Sequence, residues 1–227
     1  SATEGSGWEA SLERAQEAEI PVILIDRGIE PNDDSLYATR IAPDNMVVSE
    51  SVAEWAVSAF PEGANYFVLE GPAGVSVVNE RNEGFQSVIG EEDAFVSLGA
   101  QTANWSTEEA RSVMETVLQA NDNDVQFVFA QNDEMGLGAV QAVEAAGLTP
   151  GVDVQIATID GTRPALEALA AGQLSFVAEY NPLFGETALE AVETVLDGGE
   201  VDSYIIVPSE TFDSPEAAEA ALPDRQF

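Results

Sequence analysis

Val125 to Gly147, VQFVFAQNDEMGLGAVQAVEAAG, decides the fold. Val125 to Ala130 is rich in β-branched and aromatic residues and long enough for one buried strand, whereas from Met135 to Ala146 the apolar residues recur at threes and fours, the spacing of a helix. Strand, polar turn and helix in succession form the unit of an open parallel α/β sheet, whose ligands bind in the crevice beyond the carboxyl ends of the strands. Asn132 and Asp133 occupy that turn.

The same unit repeats on either side. Upstream, the pattern predicts a helix opened by a Ser6/Glu9 capping box, a fully apolar strand Val22 to Ile25 that delivers Asp26 and Arg27, a turn from Pro31 to Ser35, and a strand from Leu36 to Ile41. A helix capped by Asp44 and running from Asn45 to Phe60 follows, then a strand Tyr66 to Leu69, a Gly-Pro turn, and a helix Ser76 to Ile89 that carries Arg81. A short strand Val96 to Leu98 and a helix Ala110 to Ala120, introduced by a Ser106/Glu109 box, lead into the central unit. Downstream come strands Val154 to Ile159, Leu174 to Ala178 and Tyr204 to Val207, with helices Pro164 to Ala171, Phe184 to Leu196 and Ser214 to Ala221. Alternation of this kind predicts parallel sheets with right-handed crossovers.

Composition removes several chemistries. The 227 residues hold no His, Cys or Lys, which excludes Ser/His/Asp and Cys/His relays, thiolate or imidazole metal centres, Schiff-base lysines and the lysine phosphate loop. No metal or cofactor site is expected. Forty-two acidic residues face seven basic ones, all Arg, for a net charge of -35; this excludes nucleic acid as a partner, because phosphate contacts need a basic face. A dense acidic surface suits a protein kept hydrated in concentrated salt, where a Debye length of about 3 Å at 1 M screens self-repulsion. No apolar run approaches the roughly 18 residues of a membrane span.

The strand ends collect the polar groups. Asp26 and Arg27 follow VILI, Asn132 and Asp133 follow the FVFA strand, Asp160 follows IATI, and Glu179 follows SFVA. Carboxylates and amides bond vicinal hydroxyls, Arg donates planar pairs, and an aromatic such as Trp105 covers the apolar face of a sugar ring. The mixture suits a neutral polyhydroxyl ligand. Structural readings stand beside this one: Asp133 and Asp160 as helix caps, Trp105 as core packing, Glu179 as a solvated approach to a helix, and Arg27 and Arg81 as surface bases.

With these residues set out, the chain resembles the type I periplasmic sugar-binding proteins of ABC importers. The match runs in order through GWEASLERAQEAEIPVILIDR, APDN, GPAGVSVVNERNEGF, NWSTEEARSVMETV, FAQNDEMGLGAVQAVEAAGLTPG, IATIDG and AEYNP, and it is most like the galactofuranose-binding branch, with ribose binders further off. The resemblance implies two α/β lobes joined by three hinge strands, with residues 1–42 and 180–207 in the first lobe and 43–179 and 208–227 in the second. It implies a monosaccharide held by Asp26, Arg27, Arg81, Asn132, Asp160 and Glu179 with Trp105 stacked on the ring. Glu179 stands where ribose binders have Gln. A permease partner, a periplasmic or extracellular location with association to the membrane through the transporter or a lipid anchor, and a monomeric full-length protein are further implications. Relatives carry a strand–helix–strand–helix–strand stretch ahead of the segment matching Gly7 and Trp8, so the first lobe is expected to be incomplete, through truncation or completion by a neighbouring chain. The effector domain of LacI-type transcription regulators shares the fold and is the second reading; a carboxylate glycosidase using two of Asp26, Asp160 and Glu179 is the third.

Overall fold

The computed structural model describes residues 5–30 and 32–227; Pro31, in the predicted turn, lies outside them. In chain order the elements are α1 (Glu9–Glu17), β1 (Ile23–Ile25), β2 (Thr39–Ala42), α2 (Asn45–Ala59), β3 (Asn65–Glu70), α3 (Ser76–Ile89), β4 (Val96–Thr102) and α4 (Thr107–Ala120). They continue with β5 (Phe127–Ala130), α5 (Asp133–Ala145), β6 (Gln155–Asp160), α6 (Arg163–Ala170), β7 (Phe176–Glu179), α7 (Gly185–Leu196), β8 (Tyr204–Ile206), β9 (Thr211–Phe212) and α8 (Pro215–Ala221). Among the described residues nine strands form two sheets, a small one in the order β1-β2-β8 and a large one in the order β4-β3-β5-β6-β7-β9. Every pairing is parallel except β7 with β9.

β5 is the centre of the large sheet because both of its faces are covered. Phe127 and Phe129 point into a layer with α2 and α3, while Val128 and Ala130 point into the opposite layer with α4, α5 and α6. Successive strand side chains go to opposite faces, so a strand buried on both sides reads as an unbroken apolar run. Phe129 stacks on Phe85 of α3 at 4.7 Å between ring centroids. On the other face α4 and α5 approach so closely that a Cβ on Gly138 would lie 2.3 Å from the Thr107 carbonyl oxygen. The small sheet is covered by α7, where Ala191 packs with Ile41 and Val207. The chain passes between the sheets three times: from β2 into α2, from β7 into α7, and from β8 into β9.

Asp44 caps α2 as its sequence position predicts, accepting from the Met46 and Val47 amides at 3.0 and 3.3 Å. Asp44→Ala removes that acceptor and is expected to cost about 1 kcal/mol, lowering the melting temperature by roughly 2–4 °C in calorimetry. Two local expectations need correction. The Ser6/Glu9 box does not form: α1 starts from Trp8 in helical geometry with no side-chain cap. The strand predicted from Leu36 begins only at Thr39, because Asp33 accepts from the Ser35 amide and turns Asp34–Leu36 into a short 3-10 helix.

Candidate functional site

The carboxyl ends of β1, β5 and β6 face a cavity of about 530 Å³ between the two sheets. β1 contributes Asp26 and Arg27, the β5–α5 turn Asn132, and β6 Asp160; Arg81 enters from α3 and Trp105 from the β4–α4 turn. Six of the seven candidate residues therefore share one cavity. Glu179 is not among them: it borders a separate cavity of about 390 Å³ and pairs with Arg225. Tyr180, the next residue, lines the main cavity instead, because neighbours along a strand end point to opposite sides.

Arg81 organises the centre although only 3% of it is exposed. Its Nε donates to Asn45 Oδ1 at 3.0 Å, its Nη1 to the Gln131 carbonyl, and its Nη2 lies 3.6 Å from Asp160 Oδ1. The guanidinium also sits 5.0 Å from the Tyr180 ring and 5.8 Å from the Trp105 ring. A buried planar cation with that many partners is fixed in one orientation. The surface-base reading of Arg81 is thereby excluded.

Asp160 is no helix cap. It ends β6 at a φ of +132°, a conformation that L residues adopt at a cost, and 28% of its side chain remains open. Burial pushes its carboxyl well above the ordinary carboxylate range, with Arg81 pulling the other way. Asp133 is not the cap of its own helix either. Asn132 takes that role, accepting from the Met135 amide at 3.0 Å, and its Nδ2 donates to Glu134 at 2.5 Å. Asp133 instead accepts from the Thr158 hydroxyl at 2.7 Å and from the Thr162 amide at 2.6 Å, which ties α5 to the turn after β6. Burial pushes it up to about 6 against those donors.

Trp105 lies over Gly71, where an added Cβ would stand 2.0 Å from the indole. The ring is half-buried, and it packs against Val75, Val77 and Val78 on one side while lining the cavity. Its φ of +60° turns the chain sharply into α4. Packing and exposure to the cavity coexist in this one side chain.

Sequence reasoning missed the polar frame behind the cavity. Arg40 of β2 grips Glu80 of α3 with two bonds of 2.8 and 3.0 Å, and its Nε donates to the Asp26 carbonyl at 3.0 Å. Asn45 donates to Glu80 at 2.8 Å while accepting from Arg81, and Tyr180 donates to Asp26 at 3.1 Å. Burial of the Tyr180 hydroxyl beside Asp26 raises its pKa. This network spans both sheets, and only the rarity of Arg in the sequence hinted at it.

The sequence model of the periplasmic binding protein domain matches residues 1–200. The chain belongs to this family. Its members bind solutes and are not enzymes, which removes the glycosidase reading. This periplasmic binding protein is 48% identical to the fructose import binding protein of Bifidobacterium longum, an alignment covering 97% of the chain and 67% of that relative. It is 31% identical to the galactofuranose-binding protein of Escherichia coli over 96% of the chain and 69% of the relative. Among solved structures, a galactofuranose binding protein superposes with a TM-score of 0.93 at 30% identity, over 98% of this chain and 76% of that one. The binding component of the arabinose ABC transporter from Shewanella sp. ANA-3, bound to α- and β-L-arabinofuranose, gives 0.93 at 32%, over 98% and 74%. The chain thus spans about two thirds of the length of these curated relatives. Among the described residues, no helix is long and apolar enough to cross a membrane, and no group of three or more His, Cys, Asp or Glu is placed to hold a metal ion.

Proposed function

We propose that this periplasmic binding protein captures a neutral monosaccharide, held as a furanose ring, outside the cytoplasmic membrane and presents it to the permease of an ABC importer. One observation carries the reading: a cavity of about 530 Å³ between two sheets is lined by carboxylate, guanidinium, amide and indole groups together. Asp160 and Asp26 accept from ring hydroxyls, Arg27, Arg81 and Asn132 donate, and Trp105 covers the apolar ring face. Relatives named for fructose, galactofuranose and arabinofuranose favour the furanose form. Residues 1–42 with 180–207 and residues 43–179 with 208–227 act as two lobes, and a bound sugar that bonds to both draws the hinge toward closure.

Isothermal titration of the full-length protein against fructose, galactose, L-arabinose, ribose and glucose tests this. The expected result is binding of at least one furanose-forming sugar with a Kd of about 1 μM or below, equivalent to roughly 8 kcal/mol. No heat from any of the five sugars contradicts it.

A further inference from the structure

Glu179 leaves the main cavity because the end of the chain takes hold of it. The Arg225 guanidinium pairs with the Glu179 carboxylate, and the two side chains are only 6% and 9% exposed. The guanidinium lies 5.1 Å from the Phe212 ring and 4.8 Å from the Phe227 ring. Arg163, the first residue of α6, fastens the same segment twice. Its Nη2 donates to the Arg225 carbonyl at 2.7 Å and its backbone amide to the Phe227 main-chain oxygen at 2.8 Å. An ion pair buried in this way is a weak source of stability, but it selects one geometry. Here that geometry sets Phe227 into the wall of the main cavity, alongside Asp160, Thr162 and Tyr180.

Phe227 also borders the second cavity, the one that Glu179 lines. The segment is therefore the partition between the two spaces.

We propose that Phe227 is a specificity-determining wall of the cleft, and that Glu179 is a positioning residue which holds that wall through Arg225 rather than bonding the ligand; this rests on the reading of the cleft as a sugar site. An apolar ring at that place favours C–H groups, such as those of an exocyclic hydroxymethyl arm. At that place it offers no hydrogen bond to the charged group of a uronate or a sugar phosphate. One apolar group fitted to a pocket discriminates by roughly 10–200-fold.

The test titrates wild type, Phe227→Ala and Arg225→Ala with fructose and with pentoses, and follows each melt by circular dichroism. Phe227→Ala is expected to keep the fold, to bind the preferred sugar roughly 10-fold more weakly, and to change the ratio of hexose to pentose affinity by a similar factor. Arg225→Ala is expected to shift that ratio in the same direction, since it frees the wall. Were Glu179 a direct ligand contact, freeing it would leave affinity intact or raise it, and that result overturns its positioning role. If Arg225→Ala fails to fold, Arg225→Gln, which removes the charge but keeps a side chain in the same space, replaces it as the test of the positioning role, and Phe227→Ala decides the wall. Wild-type affinities and ratios in Phe227→Ala overturn the wall while leaving the sugar reading in place; a wild type that binds no sugar overturns the sugar reading itself.

Discussion

Arg81→Ala is expected to remove measurable sugar binding, lowering affinity by at least about 100-fold, or roughly 2.7 kcal/mol. The argument is geometric. One guanidinium, almost wholly enclosed, fixes Asn45, the Gln131 carbonyl and Asp160 at once. Its loss leaves a buried acceptor without a donor and a carboxylate without its counter-charge, and breaking a buried pair typically costs about 3–5 kcal/mol of stability. Asp160 escapes part of that penalty by taking up a proton. Its carboxyl is already held above the ordinary range by burial, and removing Arg81 raises it further.

The sign of the pH dependence follows. A carboxyl whose folded pKa exceeds its unfolded value favours the folded state most below the unfolded value, and that contribution is lost as pH rises through the folded one. The stability deficit of Arg81→Ala should therefore be largest at neutral pH and shrink toward pH values of about 3, below the unfolded pKa, where the acid is neutral in both states. Urea titrations of variant and wild type across that range check this. A deficit that stays constant with pH contradicts the assignment of Asp160 as the partner. Arg81→Lys should recover part of the stability and little of the binding, since an ammonium does not reproduce the planar fork.

Trp105→Ala is the second large effect. Losing a stacked aromatic face and the apolar area it covers removes about 2 kcal/mol of binding, close to 30-fold, while Trp105→Phe retains most of the affinity. Gly71→Ala provides an independent route to the same end without touching the ring. A methyl group there would stand 2.0 Å from the indole, so the ring must move away from its bed. Both variants should weaken sugar binding in titration calorimetry. Full affinity in Gly71→Ala would mean that the position of the ring is unimportant.

The middle of the large sheet was legible because β3, β5, β6 and β7 are buried on both faces. Runs such as FVFA and IATI have one reading once the flanking helices are recognised, and Asn132 and Asp160 follow at their ends. The small sheet was less legible. β1 and β8 have three residues each, and Asp33 turns the segment before β2 away from extended geometry through a local bond to Ser35. What no local pattern carries is pairing at a distance. Arg40 meets Glu80 forty residues on, and Arg225 meets Glu179 forty-six residues back. Glu179 was read correctly as a strand-end residue, but the partner beside which it borders the second cavity, Arg225, lies forty-six residues on. Tyr180, Asn45 and Phe227 were passed over because a Tyr after a strand, an Asn opening a helix and a Phe after a polar segment are ordinary in sequence. Only the fold brings Tyr180 and Phe227 to one wall and sets Asn45 behind it against Arg81.

Co-crystallisation with the sugar that binds most tightly tests the central claim most directly. The account predicts the ring between the two sheets, with hydroxyls within hydrogen-bond distance of Asp160 and Arg81 and an apolar face on Trp105. A sugar seated anywhere else on the molecule, with Arg81 and Asp160 untouched, contradicts it.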